Sequence, residues 1–286
     1  MWGFRVALGL AAFAVGVGGV LVGTEGSTFP SALATVSLAP TAQATCLAVG
    51  DYVAPAPGST GVPAGIALCP GGPVTVTEPG AVVDGWDIRG GIVVDAPGVV
   101  VRRSRITGDG VTPYGVWTTP AGSVRVEDTT LAGDFPQAAI GDERWTAERI
   151  EITGVTHDGA RLGDGARLRN SSLHDFAPAA GDALVVRGED VWVEDNRVEP
   201  GAVTGSAVRV VTPASPGDSP VVIRGNVLGG GDYTVHEDPA SDRGLPVEVR
   251  ITGNRFRPDA VRGPLNVSPA AVLADNRFLD GRPLPP

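Results

Sequence analysis

Val191-Trp192-Val193-Glu194-Asp195-Asn196-Arg197-Val198 alternates apolar and polar side chains, breaks on an Asp-Asn pair, and then resumes. The phrase returns at Val221 to Leu228, at Val249 to Phe256 and at Ala271 to Phe278. Looser copies run from Val99 to Ile106, Val124 to Leu131, Trp145 to Ile152 and Ala166 to Leu173. The Asn position of each copy serves as a register mark. The marks are Ser104, Thr129, Ile150, Ser171, Asn196, Asn226, Asn254 and Asn276, with gaps of 25, 21, 21, 25, 30, 28 and 22 residues.

Self-similarity at this period is the signature of a repeat array. Period-two alternation makes each phrase a strand rather than a helical turn. A repeat this short holds two or three strands and their turns, with no room for a crossover helix. The expected fold is therefore all-β: a single-stranded right-handed parallel β-helix of about eight or more coils. Strands stack ~4.8 Å apart, crossovers between parallel strands are right-handed, and each coil touches only its neighbours. Asn and Gly at the marks suit the left-handed backbone of a tight turn.

The chain has 286 residues with 41 Gly, 25 Pro and a net charge of −10. All 22 basic residues are Arg, a bias that points to a GC-rich, actinobacterial genome. The acidic balance argues against nucleic-acid binding, which needs a basic footprint. Met1 to Arg5 precede an apolar run from Val6 to Gly23. This reads as a secretory signal, with a retained membrane anchor as the alternative. Cleavage sites of the Ala-X-Ala kind occur at Ala32 to Ala34 and Ala42 to Ala44. In an exported chain the two cysteines, Cys46 and Cys69, read as a disulfide closing 22 residues, worth ~3 kcal/mol. The expected organisation is a leader over 1–44, an N-terminal cap over 45–72, the β-helix over 73–280 and a tail over 281–286.

Thr60 to Gly65, Val82 to Gly90 and Val99 to Ile106 carry a family resemblance. Together they resemble the opening of secreted actinobacterial right-handed β-helix proteins of the pectate-lyase-like superfamily. The resemblance runs from about residue 60 to 280. It implies an extracellular location and a polysaccharide partner. Pectate lyases of that superfamily use Ca²⁺ on carboxylates and an Arg or Lys base. Polygalacturonase-like hydrolases use clustered Asp with Gly-His-Gly and Arg-X-Lys. This chain has no Lys, no Gly-His-Gly and no adjacent Asp pair. Where relatives carry His-Ser-Asp-Gly, it reads Ala180-Gly181-Asp182-Ala183.

Aligning the second strand of each coil gives columns. Strand starts read Tyr114, Gln137, Asp158, Asp182 and Ser206; an inward column reads Val116, Ala139, Ala160, Leu184 and Val208. The outward column then reads Trp117, Ile140, Arg161, Val185 and Arg209, with Asp142 and Arg187 one step along. A flat aromatic stacks on a sugar ring, and Arg forks match carboxylates. Trp117, Arg161 and Arg209 are thus the expected substrate-binding residues, for a polysaccharide of uronate type. Asp158 and Asp182, with Arg161 and Arg187, are the expected catalytic set. Two carboxylates on adjacent coils share a proton, divide acid and base roles, or hold Ca²⁺. The plainer alternative is that each Asp caps the turn backbone. His174-Asp175 and His236-Glu237-Asp238 are further polar clusters, without the spacing of a metal site. The function expected is an extracellular, monomeric β-helix that binds or cleaves an acidic polysaccharide; the alternative is a non-catalytic surface module.

Overall fold

The computed structural model describes residues 59–211, 219–238 and 248–285, with the backbone of the two-residue strand Ala44–Thr45. Val6 to Gly23 and Cys46 lie outside the described residues. Every element of regular structure among the described residues is a strand. The strands fall into three sheets of ten, ten and nine. Sheet 1 runs from Ala44–Thr45 and Val82–Asp84 through Val191–Glu194 to Val272–Ala274. Sheet 2 runs from Cys69–Gly71 through Arg197–Glu199 to Arg277–Phe278, and sheet 3 from Val74–Val76 through Tyr114–Thr118 to Gly263–Asn266. The chain visits sheets 1, 2 and 3 in turn, and each strand pairs in parallel with its counterpart one coil away, as in Val221↔Val249 and Leu131↔Ile152. This is the expected parallel β-solenoid.

Alternate residues of all three sheets point inward and stack by kind. Val193, Ile223 and Ile251, each preceding a mark on sheet 1, are fully buried. Burying side chains of this size contributes about 1.5–3 kcal/mol each. The core tolerates one large polar-tipped ring because it has a partner: Trp145 is fully buried and its Nε1 donates to the Arg161 carbonyl at 3.1 Å.

The corner between sheets 1 and 2 differs from expectation in one respect. Left-handed backbone falls on the residue before each mark, at Arg103, Asp128, Arg149, Asn170, Asp195, Gly225, Gly253 and Asp275, with φ between 47° and 69°. The mark itself turns inward. Ser104, Thr129, Ser171, Asn196, Asn226 and Asn254 are buried. The Asn side chains form a ladder in which each Oδ1 accepts both the backbone N–H and the Nδ2 of the Asn one coil earlier. A reversing corner leaves inward-facing backbone groups without strand partners, and buried polar groups must be paired; the carboxamides do this. Ser104 and Ser171 do it with hydroxyls, each donating to a carbonyl two residues back and accepting an N–H from the previous coil. The corner arginines also lock coil to coil. Arg149 forks onto buried Asp128 at 2.7 and 3.1 Å. Arg102 and Arg103 both hold the fully buried Asp84 carboxylate, Arg103 through Nε at 2.7 Å and also through Nη2.

On sheet 3 the expected columns slip by one residue in a single coil. Ala138 pairs with Tyr114 and Ile140 with Val116, so Ala138 replaces Gln137 and Ile140 replaces Ala139. Ile140 is accordingly fully buried, and Gly141 takes the outward place opposite Trp117. The run Ala138-Ala139-Ile140 is apolar throughout, so alternation could not fix its phase.

Candidate functional site

The outward column of sheet 3 reads Val93, Trp117, Gly141, Arg161, Val185, Arg209, His236 and Asn266. Two polar clusters stand on it, with the buried Val185 between them.

The first cluster is built on Tyr114, which starts its strand. A Cβ on Gly141 would lie 2.6 Å from the Tyr114 ring; its absence lets the ring pack flat on that backbone. The Tyr114 hydroxyl then lies 3.5 Å from Asp142 Oδ2 and accepts from Arg161 Nη1 at 3.1 Å. Arg161 is engaged on every side. Its Nε donates to Asp158 at 3.0 Å and its Nη1 to Gln137 Oε1 at 2.6 Å, and its guanidinium lies 5.8 Å from the Tyr114 ring centre. Its side chain is only 17% exposed, so it serves the cluster more than it serves a ligand. Burial pushes the Asp142 carboxyl above the ordinary aspartate value, against the pull of Arg161 and Arg187 and of hydrogen bonds from Trp117 and Tyr114. Arg187 is exposed and makes no ion pair among the described residues.

Asp158 and Asp182 come together as expected and do what the plainer alternative requires. Asp158 Oδ1 accepts the Asp182 N–H at 3.2 Å, and Asp182 Oδ1 accepts the Ser206 N–H at 2.6 Å. Each carboxylate pairs a strand-start amide of the next coil. Burial raises the Asp182 carboxyl above its ordinary value; the Ser206 amide lowers it, neighbouring Asp158 raises it, and Arg209 lowers it. Among the described residues no group of three or more His, Cys, Asp or Glu converges on one point, whereas Ca²⁺ takes 6–8 oxygens.

The second cluster surrounds a groove of about 290 Å³. Arg209 forks onto Asp238 at 3.1 and 2.9 Å and stands 3.5 Å from Asp182. His236 lies 3.3 Å from the same Asp238, meets Asn266 at 2.9 Å and stacks on Tyr233 with ring centres 5.8 Å apart. Arg262 closes one side through Asp232 at 2.9 Å.

Trp117, Arg161 and Arg209 thus share one face, as expected, while Arg187 adjoins it. His157, beside Asp158 in sequence, turns to Thr156 and Asp134. His174 lies on sheet 2, bonded to Glu151 and Asp175. Sequence reasoning missed the roles of Tyr114, Gln137 and Asp142, and the groove residues Tyr233, Arg262 and Asn266. Gly141 was the available signal for the first group: a glycine inside a strand marks close approach by another group.

No family model matches the chain, and no curated protein matches it. Among solved structures, the catalytic unit of the thermostable GH87 α-1,3-glucanase from Streptomyces thermodiastaticus strain HF3-3 is similar over 73% of this chain, at 13% identity and a TM-score of 0.38. The chain spans 58% of that structure's length. The β-solenoid class itself stands on the sheet topology described above.

Proposed function

We propose that the outward face of sheet 3 binds a polysaccharide lying along the solenoid axis, from Trp117 to the Tyr233–His236 groove. The observation that carries this reading is the shared column. It sets an aromatic platform at each end and hydrogen-bonding side chains between them, at steps of ~4.8 Å. Five such steps separate Trp117 from His236, a span of ~24 Å that suits a linear polymer of several sugars. The finer proposal is an acidic polymer. Arg161 and Arg209 are neutralised by their own carboxylates, so that preference rests on Arg187, exposed beside Trp117's cluster. The proposal includes export, resting on the apolar run from Val6 to Gly23.

Affinity electrophoresis or calorimetry on polygalacturonate, alginate and a neutral β-glucan tests it. Trp117→Ala should weaken binding at least tenfold, about 1.4 kcal/mol. Arg187→Ala should weaken binding to the uronate polymers selectively and flatten its salt dependence. Arg277→Ala, on sheet 2 at the far end of the solenoid, should change nothing. Equal affinity of wild type and Trp117→Ala for every polymer would remove the face from consideration.

A further inference from the structure

We infer that the C-terminal end of the solenoid is a dimer interface, in which the strand Val272–Ala274 pairs in antiparallel with the same strand of a second copy. The observation that carries this is the direction of the backbone on sheet 1. In each coil the inward residues send their N–H groups to the next coil. Val99 donates to the Ser123 carbonyl at 3.0 Å, Val124 to the Arg144 carbonyl at 3.2 Å and Val221 to the Glu248 carbonyl at 2.9 Å. Leu273 stands in the same inward column, opposite Ile251. Its N–H and C=O therefore both point out of the end of the solenoid, and among the described residues no strand follows it on sheet 1. Side chains tell the same story. Ile251 is fully buried, whereas Leu273 is 49% exposed and Val272 44%. From Ser268 to Ala274 the chain carries no charge.

Solenoids stay soluble by closing each end with a polar outer face, and bare sheet edges are blunted by charge, Pro or a covering segment. The other edges of this molecule carry such devices. At the N-terminal end, Ala44–Thr45 covers sheet 1 by pairing with Val83 and Asp84. At the C-terminal end the tail covers sheet 2: Arg277 bridges to Pro283 in antiparallel, the Phe278 N–H donates to the Arg282 carbonyl at 2.9 Å, and Leu284 packs against the core. Sheet 3 ends on a strand that contains Pro264. Sheet 1 ends on an exposed, uncharged strand with none of these. A second copy fits that edge because the edge is complementary to itself. In antiparallel strands a hydrogen-bonded pair exchanges both of its N–H···O bonds. A two-fold axis at Leu273 lets its N–H donate to the carbonyl of the partner's Leu273 and accept the reciprocal bond. The same axis sets Val272 against the partner's Ala274 and Asp275 against the partner's Ala271, so no like charges lie directly opposite. It also brings the two half-exposed leucine side chains together over the ends of both cores. Head-to-tail stacking, which would grow a filament, has to meet the N-terminal end, where Ala44–Thr45 already fills the place beside Val82–Asp84.

Sedimentation of the full chain from micromolar to near-millimolar concentration tests this, with hydrogen exchange at the Leu273 amide followed at both limits. Wild type should pass from monomer to dimer, and the Leu273 amide should be protected only in the dimer. Leu273→Lys sets two like charges across the axis and should weaken association by about a hundredfold or more. Because that side chain is half exposed, the melting temperature of the dilute protein should hold. Leu273→Pro removes the donor that faces outward, leaves the bonds to Val249–Thr252 in place, and should weaken association in the same way. A monomer at every concentration overturns the inference. So does a Leu273 amide protected in the dilute monomer, since another part of the chain then covers the edge. Filaments, or a dimer indifferent to both substitutions, overturn it as well. If either variant fails to fold, the wild-type exchange rates decide alone.

Discussion

Asn226→Ala is the sharpest test of how the coils are held in register. The Asn226 carboxamide is fully buried and makes four hydrogen bonds. Its Oδ1 accepts the Asn196 N–H at 2.8 Å and the Asn196 Nδ2 at 3.0 Å. Its Nδ2 donates to the Val193 carbonyl and to Asn254 Oδ1, both at 2.9 Å. Truncation strips the Asn196 N–H of its acceptor and the Val193 carbonyl of this donor, in a place water does not reach. Each buried polar group left unpaired costs about 1–3 kcal/mol, so the expected loss is about 2–6 kcal/mol. Asn276 makes three of the four corresponding bonds, two to Asn254 and one to the Ile251 carbonyl, but in the last coil, where it is only partly buried. Water replaces what Asn276→Ala removes there, and the loss should stay near the net worth of one or two hydrogen bonds, about 1–2 kcal/mol. Thermal melts of both variants against wild type measure the difference, and native-state hydrogen exchange at the Asn196 amide locates it. That amide should exchange far faster in Asn226→Ala and unchanged in Asn276→Ala. Equal small losses in the two variants would mean that the ladder follows from the fold and does not hold it.

Two further outcomes are expected. Mass spectrometry of the unreduced protein should find Cys46 joined to Cys69, and reduction should cost about 3 kcal/mol of stability, the worth of a 22-residue loop; two free thiols would refute the pairing. His174 is pulled down by burial but raised on balance by hydrogen bonds to Asp175 and Glu151. Its folded value lies above its unfolded one, so its contribution is complete below the unfolded value, ~6.5, and fades as pH rises through the folded value. His174→Gln should therefore lower the melting temperature at pH 5 more than at pH 8, and a pH-independent difference would contradict that sign.

The repeat made the solenoid legible because its period-two alternation is set by burial, and burial is what sequence records most directly. Val193, Ile223 and Ile251 needed no more than their place before a mark. The corner was read one residue off because Asn satisfies two demands, a left-handed backbone and a buried hydrogen-bonding side chain. Only coordinates tell which demand is at work: Asp195 bends the chain and Asn196 pairs the interior. The slip at Ile140 has the same root, since three apolar residues in a row carry no phase. The site was legible as a face but not as a set of contacts. Arg161 looked like a free cation because its neighbours in space, Gln137, Tyr114 and Asp158, lie 24, 47 and 3 residues away, and no local pattern announces such partners.

Why sheet 3 should carry the variable side chains follows from where the repeat varies. From Arg102 onward, two residues separate every sheet 1 strand from the next sheet 2 strand, as in Arg102 to Arg105 and Ala274 to Arg277. That corner cannot change length without breaking the buried ladder of marks, because the inward mark and the left-handed residue before it must recur in step. Most of the variation in period, from 21 to 30 residues, therefore falls in the connections that flank sheet 3. Those connections run from His174 to Leu184 or from Val210 to Val221 in the long coils, and only from Gly141 to Trp145 in a short one. Sheet 2 is further restricted: Gly61 and Val62 lie along it, bonded to the Arg149 carbonyl and to Thr130 Oγ1. Sheet 3 alone has loops free to differ on both sides, so side chains brought by loops, such as Asp142, Arg187 and Arg262, gather at its edges around a rigid column. A rigid ladder on one corner thus confines adaptable sequence to the face where Trp117, Asp142 and the Tyr233 groove are found.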